Sequence, residues 1–122
     1  MADTLNLNVQ RWIYERGNYQ IVVDNAWTFS PFYTQERITV NGNRVRDCIP
    51  VPQSILFWRT MFEDTILDLM GELELKVQWK SGLMSVKSRL LIEDEKQEWT
   101  NFYSKKWTGL RGDWPEQSYY EE

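Results

Sequence analysis

From Glu72 to Trp79 every second residue is apolar: Leu73, Leu75, Val77 and Trp79 alternate with Glu72, Glu74, Lys76 and Gln78. A strict period of two is the signature of a strand with one buried and one solvated face. It commits this part of the chain to a sheet that covers a core. Ser81-Gly82 follows as a turn, and Ser88–Asp94 as the return strand. Opposing Lys80 to Leu83 pairs Trp79 with Met84, Val77 with Val86 and Leu73 with Leu90 on the buried face. On the outer face the same register sets Glu74 against Arg89 and Lys76 against Lys87. A further turn near Asp94-Glu95 brings Trp99 opposite Leu90.

About fifty residues earlier the chain carries a second version of this unit. Tyr19–Asn25 and Glu36–Gly42 resemble Glu72–Trp79 and Ser88–Asp94. Arg37-Ile38-Thr39-Val40 aligns with Arg89-Leu90-Leu91-Ile92, and Ile21 and Val23 align with Leu73 and Leu75. Arg11–Val23 reads as a hairpin around Gly17-Asn18, with Tyr14 opposite Ile21, Trp12 opposite Val23 and Ile13 opposite Val22. Asn25–Pro31 reads as a loop or strand edge. In Glu36–Asp47 the Asn41-Gly42 pair is the strongest local turn signal, because both residues tolerate the positive φ of a type I′ turn. That register sets Ile38 against Val45 and Arg37 against Arg46, an unfavourable like-charge pair.

Ser54–Met70 is ambiguous. Ile55, Trp58, Phe62, Ile66 and Leu69 recur at helical spacing, with Ser54 as a cap and Gly71 as a stop. The spacing predicts a short helix near 54–62, while the duplicated pattern predicts a strand at Thr65-Ile66-Leu67. Beyond Thr100 the alternation fades, so 100–122 reads as a partly docked aromatic extension. Its Trp107 and Trp114 are too apolar for a solvated tail.

The expected fold is therefore mainly β. It is an antiparallel two-sheet sandwich or flattened barrel of duplicated hairpins in a single domain, 1–122. The 7 Trp, 6 Tyr and 5 Phe fit this, since aromatic residues suit pleated, half-buried surfaces. The strand, the Val40-Asn41-Gly42 turn and the return strand, recurring without the glycine at Ile92-Glu93-Asp94, resemble the β-sandwich family of the Fas apoptotic inhibitory molecule. The resemblance spans roughly Tyr19 to Trp99. It implies a two-sheet sandwich without catalysis and carries over no functional residue.

Chemistry is bounded mainly by what is missing. There is no histidine and one cysteine, so imidazole-activated nucleophiles, zinc sites and an internal disulfide are excluded. No phosphate-binding loop or dinucleotide fingerprint occurs, and no cofactor is expected. Cys48, with Arg46 as its nearest basic neighbour, reads as a buried small apolar residue. Glu63, Asp64 and Asp68, and Glu93, Asp94 and Glu95, form two acidic groups that could serve a hydrolase, though solvated faces explain them more simply. With a net charge of −4 the chain repels nucleic acid at long range. The N-terminal residues do not read as a signal peptide, and no run is long enough to span a membrane. The cytoplasm is the expected location.

Binding is what remains. Arg37, Arg44 and Arg46 fall on one face of the Asn-Gly hairpin, where they either grip an anion or blunt an edge strand. Lys105, Lys106 and Trp107 form a second basic–aromatic group, with Arg111 nearby. Trp12, Trp79 and Trp99 read as core, whereas Trp27, Trp58, Trp107 and Trp114 are candidates for contact with a ligand. The function expected first is a non-catalytic protein-binding module of inhibitor, immunity or assembly type. Its partner is another protein or a second copy of the chain. Glycan binding through exposed tryptophans and a carboxylate-dependent hydrolase are the alternatives.

Overall fold

The computed structural model describes residues 4–28, 33–48, 58–69, 71–81 and 86–121. Among the described residues, nine strands form two antiparallel sheets. The first is five-stranded, in the order β4-β3-β2-β1-β9. It is built from β1 (Thr4–Arg16), β2 (Tyr19–Thr28), β3 (Tyr33–Val40), β4 (Asn43–Cys48) and β9 (Asn101–Leu110). The second is four-stranded, in the order β5-β6-β7-β8, from β5 (Arg59–Asp68), β6 (Gly71–Ser81), β7 (Val86–Ile92) and β8 (Glu95–Gln97). A single short helix, α1 (Gln117–Tyr120), follows β9. The sheets do not close on one another, so the sandwich is the architecture formed and the flattened barrel is not.

Each version of the duplicated unit lies in a different sheet. β2–β3 pairs Val23 with Ile38 and Ile21 with Val40. β6–β7 pairs Val77 with Leu90 and Leu75 with Ile92. Their inner faces meet in one core: Trp12, Ile21, Val23 and Ile38 from the first sheet, and Leu75, Val77, Trp79, Leu90 and Ile92 from the second. Burial of such side chains is worth about 1.5–3 kcal/mol each and fixes which face of every strand points inward.

The first hairpin has the expected register, with Tyr14 opposite Ile21, Ile13 opposite Val22 and Trp12 opposite Val23. Five other readings need correction. β2 does not break at Asn25 but runs on through Trp27 to Thr28, between β1 and β3. Asn25 is tolerated there because its amide donates to Thr34 Oγ1 at 3.0 Å and to the Gln35 carbonyl at 3.2 Å. The helix expected near 54–62 is overturned over Arg59–Phe62, which open β5; Ser54–Phe57 lie outside the described residues. A four-residue spacing such as Phe62–Ile66 fits a strand as well as a helix. A bulge between Thr60 and Phe62 further disturbs the alternation. On β7 the partner of Val77 is Leu90 rather than Val86, a slip of four residues. An even slip leaves the same side chains inward, so alternation alone cannot detect it. The β7–β8 turn falls at Glu93-Asp94, both at positive φ, so Leu90 faces Gln97. Trp99 instead donates its indole N–H to the Ser88 carbonyl at 3.2 Å.

The fifth correction is the Asn-Gly hairpin. Its turn has φ of 49° at Asn41 and 83° at Gly42, as the type I′ geometry demands. The ladder then shifts after Thr39–Arg44, so Arg46 faces Ile38 and Arg37 faces Asp47. Val45 is the extra residue of this β-bulge and is 46% exposed. The Arg37–Arg46 clash is thereby removed.

Asn101–Leu110 is a full edge strand along β1, from Ile13–Asn101 to Thr4–Leu110. The chain then folds back over the outer face of the five-stranded sheet. Leu5, Leu7, Val9, Ala26, Tyr33 and Tyr120 form a second core there, with Trp107 and Trp114 packed at its margin. Trp107 lies so close over Gly109 that no side chain fits at that position.

Candidate functional site: an arginine-lined hollow on the outer sheet face

Asp24 lies at the middle of β2 and is fully buried. The registers place Arg11 of β1 on one side of it and Arg37 of β3 on the other. Arg11 grips the carboxylate with both edges of its fork: Nε to Oδ1 at 2.7 Å and Nη2 to Oδ2 at 3.2 Å. Arg37 donates from Nε to Oδ2 at 3.0 Å. A carboxylate buried in a sheet would be prohibitively unstable alone, and paired charge-assisted bonds are what make it tolerable.

The C-terminal segment roofs this network. The Tyr120 ring lies 3.9 Å from the Arg11 guanidinium carbon, and the Trp114 ring 4.5 Å from that of Arg37. Gln117 Oε1 accepts from Arg11 Nη1 at 2.7 Å. Each guanidinium therefore has a carboxylate at its edge and an aromatic face above it, which suits its planar, weakly hydrated cation. Burial, reinforced by the charge of Asp24, pushes the Tyr120 phenol well above its ordinary acidity range. Its hydroxyl has no hydrogen-bond partner among the described residues. At the far end Gln35 ties the segment down, donating to the Asp113 carbonyl at 2.5 Å and accepting from the Gly112 N–H at 2.9 Å.

Beside the roof opens a hollow of about 810 Å³, lined by Arg11, Arg37, Arg44, Val22, Thr39 and Gln117 among others. Among the described residues, three guanidiniums and no carboxylate line it. Arg37 and Arg44 are thus brought together as the hairpin pattern suggested. Arg46 is not: the bulge turns it to the opposite face, where it contacts Glu36 Oε1 at 3.3 Å. Arg11 supplies the third guanidinium instead. Sequence reasoning missed it, although the correctly read β1–β2 register already sets Arg11 against Asp24.

The other candidates scatter. Trp114 stacks on Arg37, while Arg111 lies 4.9 Å from the Tyr33 ring on the same outer face. Lys105 bonds the Tyr119 carbonyl, and Trp107 packs into the outer core. Lys106 points to the other side of β9, and its carbonyl accepts from the Tyr119 hydroxyl. Trp27 packs against the inner core. Trp58 immediately precedes β5 and lies against the four-stranded sheet, 4.2 Å from the Arg89 guanidinium and 5.8 Å from Lys80 Nζ. None of these tryptophans is fully exposed.

Glu63, Asp64 and Glu93, with Glu72 and Glu74, line a hollow of about 480 Å³ on the four-stranded sheet. Asp64 accepts from the Tyr19 hydroxyl at 3.1 Å, and Glu63, Glu93, Asp94 and Glu95 are exposed. The Tyr19 phenol is pushed well above its ordinary range by burial and by Asp64. The side chains of Cys48 and Asp68 lie outside the described residues. Among the described residues no cluster of His, Cys, Asp and Glu could hold a metal ion, and no helix is long and apolar enough to cross a membrane. No protein-family model, curated protein or solved structure matches the chain.

Proposed function

We propose that the protein is a non-catalytic protein-binding module that takes an acidic segment of its partner into the arginine-lined hollow. One observation carries the reading. In a chain of net charge −4, the described residues of one concave surface include Arg11, Arg37 and Arg44 and no acidic side chain. Guanidinium forks match carboxylates geometrically, and the rigid sheet holds Arg11 and Arg37 in place before any ligand arrives. Three guanidiniums match one or two carboxylates rather than a polyanion, and the overall negative charge repels nucleic acid at long range.

The test is fluorescence anisotropy with a labelled glutamate-rich peptide. Arg44 is exposed and lies outside the buried network, so Arg44→Gln leaves the fold intact. Loss of one charge-assisted contact, about 1.5 kcal/mol or more, weakens binding about tenfold. No binding by the unaltered protein at about 1 mM peptide, or equal binding by Arg44→Gln, would refute the reading.

A further inference from the structure

The outer face of the four-stranded sheet differs from that of its companion. No described segment folds back over it, and Thr60, Glu63, Thr65, Leu67, Glu72 and Lys87 stand exposed. Its charges are segregated by end. Toward the β6–β7 connection, Lys80 lies directly opposite Lys87, and Arg89 follows on the same face opposite Gln78. Toward the β5–β6 and β7–β8 turns lie Glu63, Glu72, Glu74 and Asp94. In that acidic half Lys76 and Lys96 intervene, both in the row of Leu91, and Lys76 is already engaged by Glu74 at 3.3 Å and Asp94 at 3.7 Å. Neither Lys80 nor Lys87 has an ion pair among the described residues. Like charges opposed across a ladder are unfavourable, so this end is left frustrated in the isolated chain.

We propose that this face binds a second copy of the chain across a two-fold axis. Lys80 and Glu72 are eight positions apart on β6, about 26 Å at the rise of a strand. A two-fold axis lying between the two faces, parallel to the sheet and perpendicular to its strands at the level between Lys76 and Gln78, exchanges these ends. The lysine pair of each copy then meets the glutamates of the other, twice by symmetry. A self-complementary patch of this kind is what an isologous dimer requires. Trp58, half-buried against Arg89, and Leu67, 75% exposed, supply apolar contact beside the charges. The face is separate from the arginine hollow, so either proposal can fail alone.

The test is sedimentation velocity on the full chain, with circular dichroism to verify folding. The unaltered protein should dimerise at about 100 μM in low salt and dissociate toward monomer near 0.5 M salt, where surface charges are screened. Lys80→Glu/Lys87→Glu makes both ends acidic, and Glu72→Lys/Glu74→Lys makes both basic. Each variant alone should be monomeric, and an equimolar mixture should regain the dimer. A monomeric unaltered protein at about 1 mM, a dimer that survives in either variant alone, or a mixture that stays monomeric would overturn the proposal.

Discussion

Replacing Asp24 by Asn removes the charge that holds two guanidiniums inside the five-stranded sheet. Asp24 accepts three charge-assisted bonds on its two oxygens, from Arg11 Nε, Arg11 Nη2 and Arg37 Nε. Asparagine keeps one acceptor oxygen and turns an amide donor toward a cation. The two arginines fare differently. The Arg37 side chain is 11% exposed and can rotate outward. The Arg11 side chain is 4% exposed and pinned beneath Tyr120, so it stays as a buried charge without a counter-ion. Breaking a buried pair from one side costs about 3–5 kcal/mol. That is a large share of a total stability of about 5–15 kcal/mol. In urea denaturation the midpoint should fall with an unchanged m-value, and Tm should drop by roughly 10–20 °C. If the loss comes from the stranded cation, adding Arg11→Met to Asp24→Asn should recover more than half of it. A loss under about 1 kcal/mol for Asp24→Asn, or a further full loss in the double variant, would refute the reasoning.

Tyr120→Phe removes a buried hydroxyl that has no partner among the described residues while retaining the ring over Arg11, so it should be neutral or stabilising by up to about 1 kcal/mol in the same assay. Tyr19 and Tyr120 should ionise later than ordinary tyrosines when absorbance near 295 nm is followed against pH. Both phenols are shifted upward in the fold, so their neutral forms are bound more tightly there. Their contribution is fully present below about pH 10 and is lost as the pH rises beyond it, and a Tyr19→Phe/Tyr120→Phe variant should show a shallower alkaline decline in stability. Gly109→Ala should cost about 1–3 kcal/mol, because the new methyl collides with the Trp107 ring and displaces it from the outer core; chemical denaturation measures it.

The parts of the fold legible in the sequence are those set by local pairing. The β1–β2 hairpin is one, because apolar residues on both faces leave one good register around Gly17-Asn18. The type I′ turn at Asn41-Gly42 is another. What escaped was non-local or periodically degenerate. β9 pairs with β1 across almost the whole chain, and both its faces mix apolar and polar residues (Tyr103, Lys105 and Trp107 on one, Phe102, Ser104, Lys106, Thr108 and Leu110 on the other), so no alternation announces it. The four-residue slip on β7 and the strand identity of Arg59–Phe62 both arise because an even spacing preserves the buried face. The bulge at Val45 has no residue signature, yet it decides that Arg44 joins Arg37 while Arg46 leaves. The site was half legible for the same reasons. Arg37 and Arg44 follow from the hairpin. Arg11 was available from its register with Asp24, but the roof of Trp114, Gln117 and Tyr120 depends on a fold-back that no local pattern encodes.

The account rests on the arginine-lined hollow being the surface that engages a partner, and the side-chain Nε–Hε resonances of the arginines report on it directly. During titration with the glutamate-rich peptide, the Arg37 and Arg44 signals should move together along one saturable curve while those of Arg46 and Arg89 stay fixed. Shifts centred on Arg46 or Arg89, or none at Arg37 and Arg44 at saturating peptide, would contradict it.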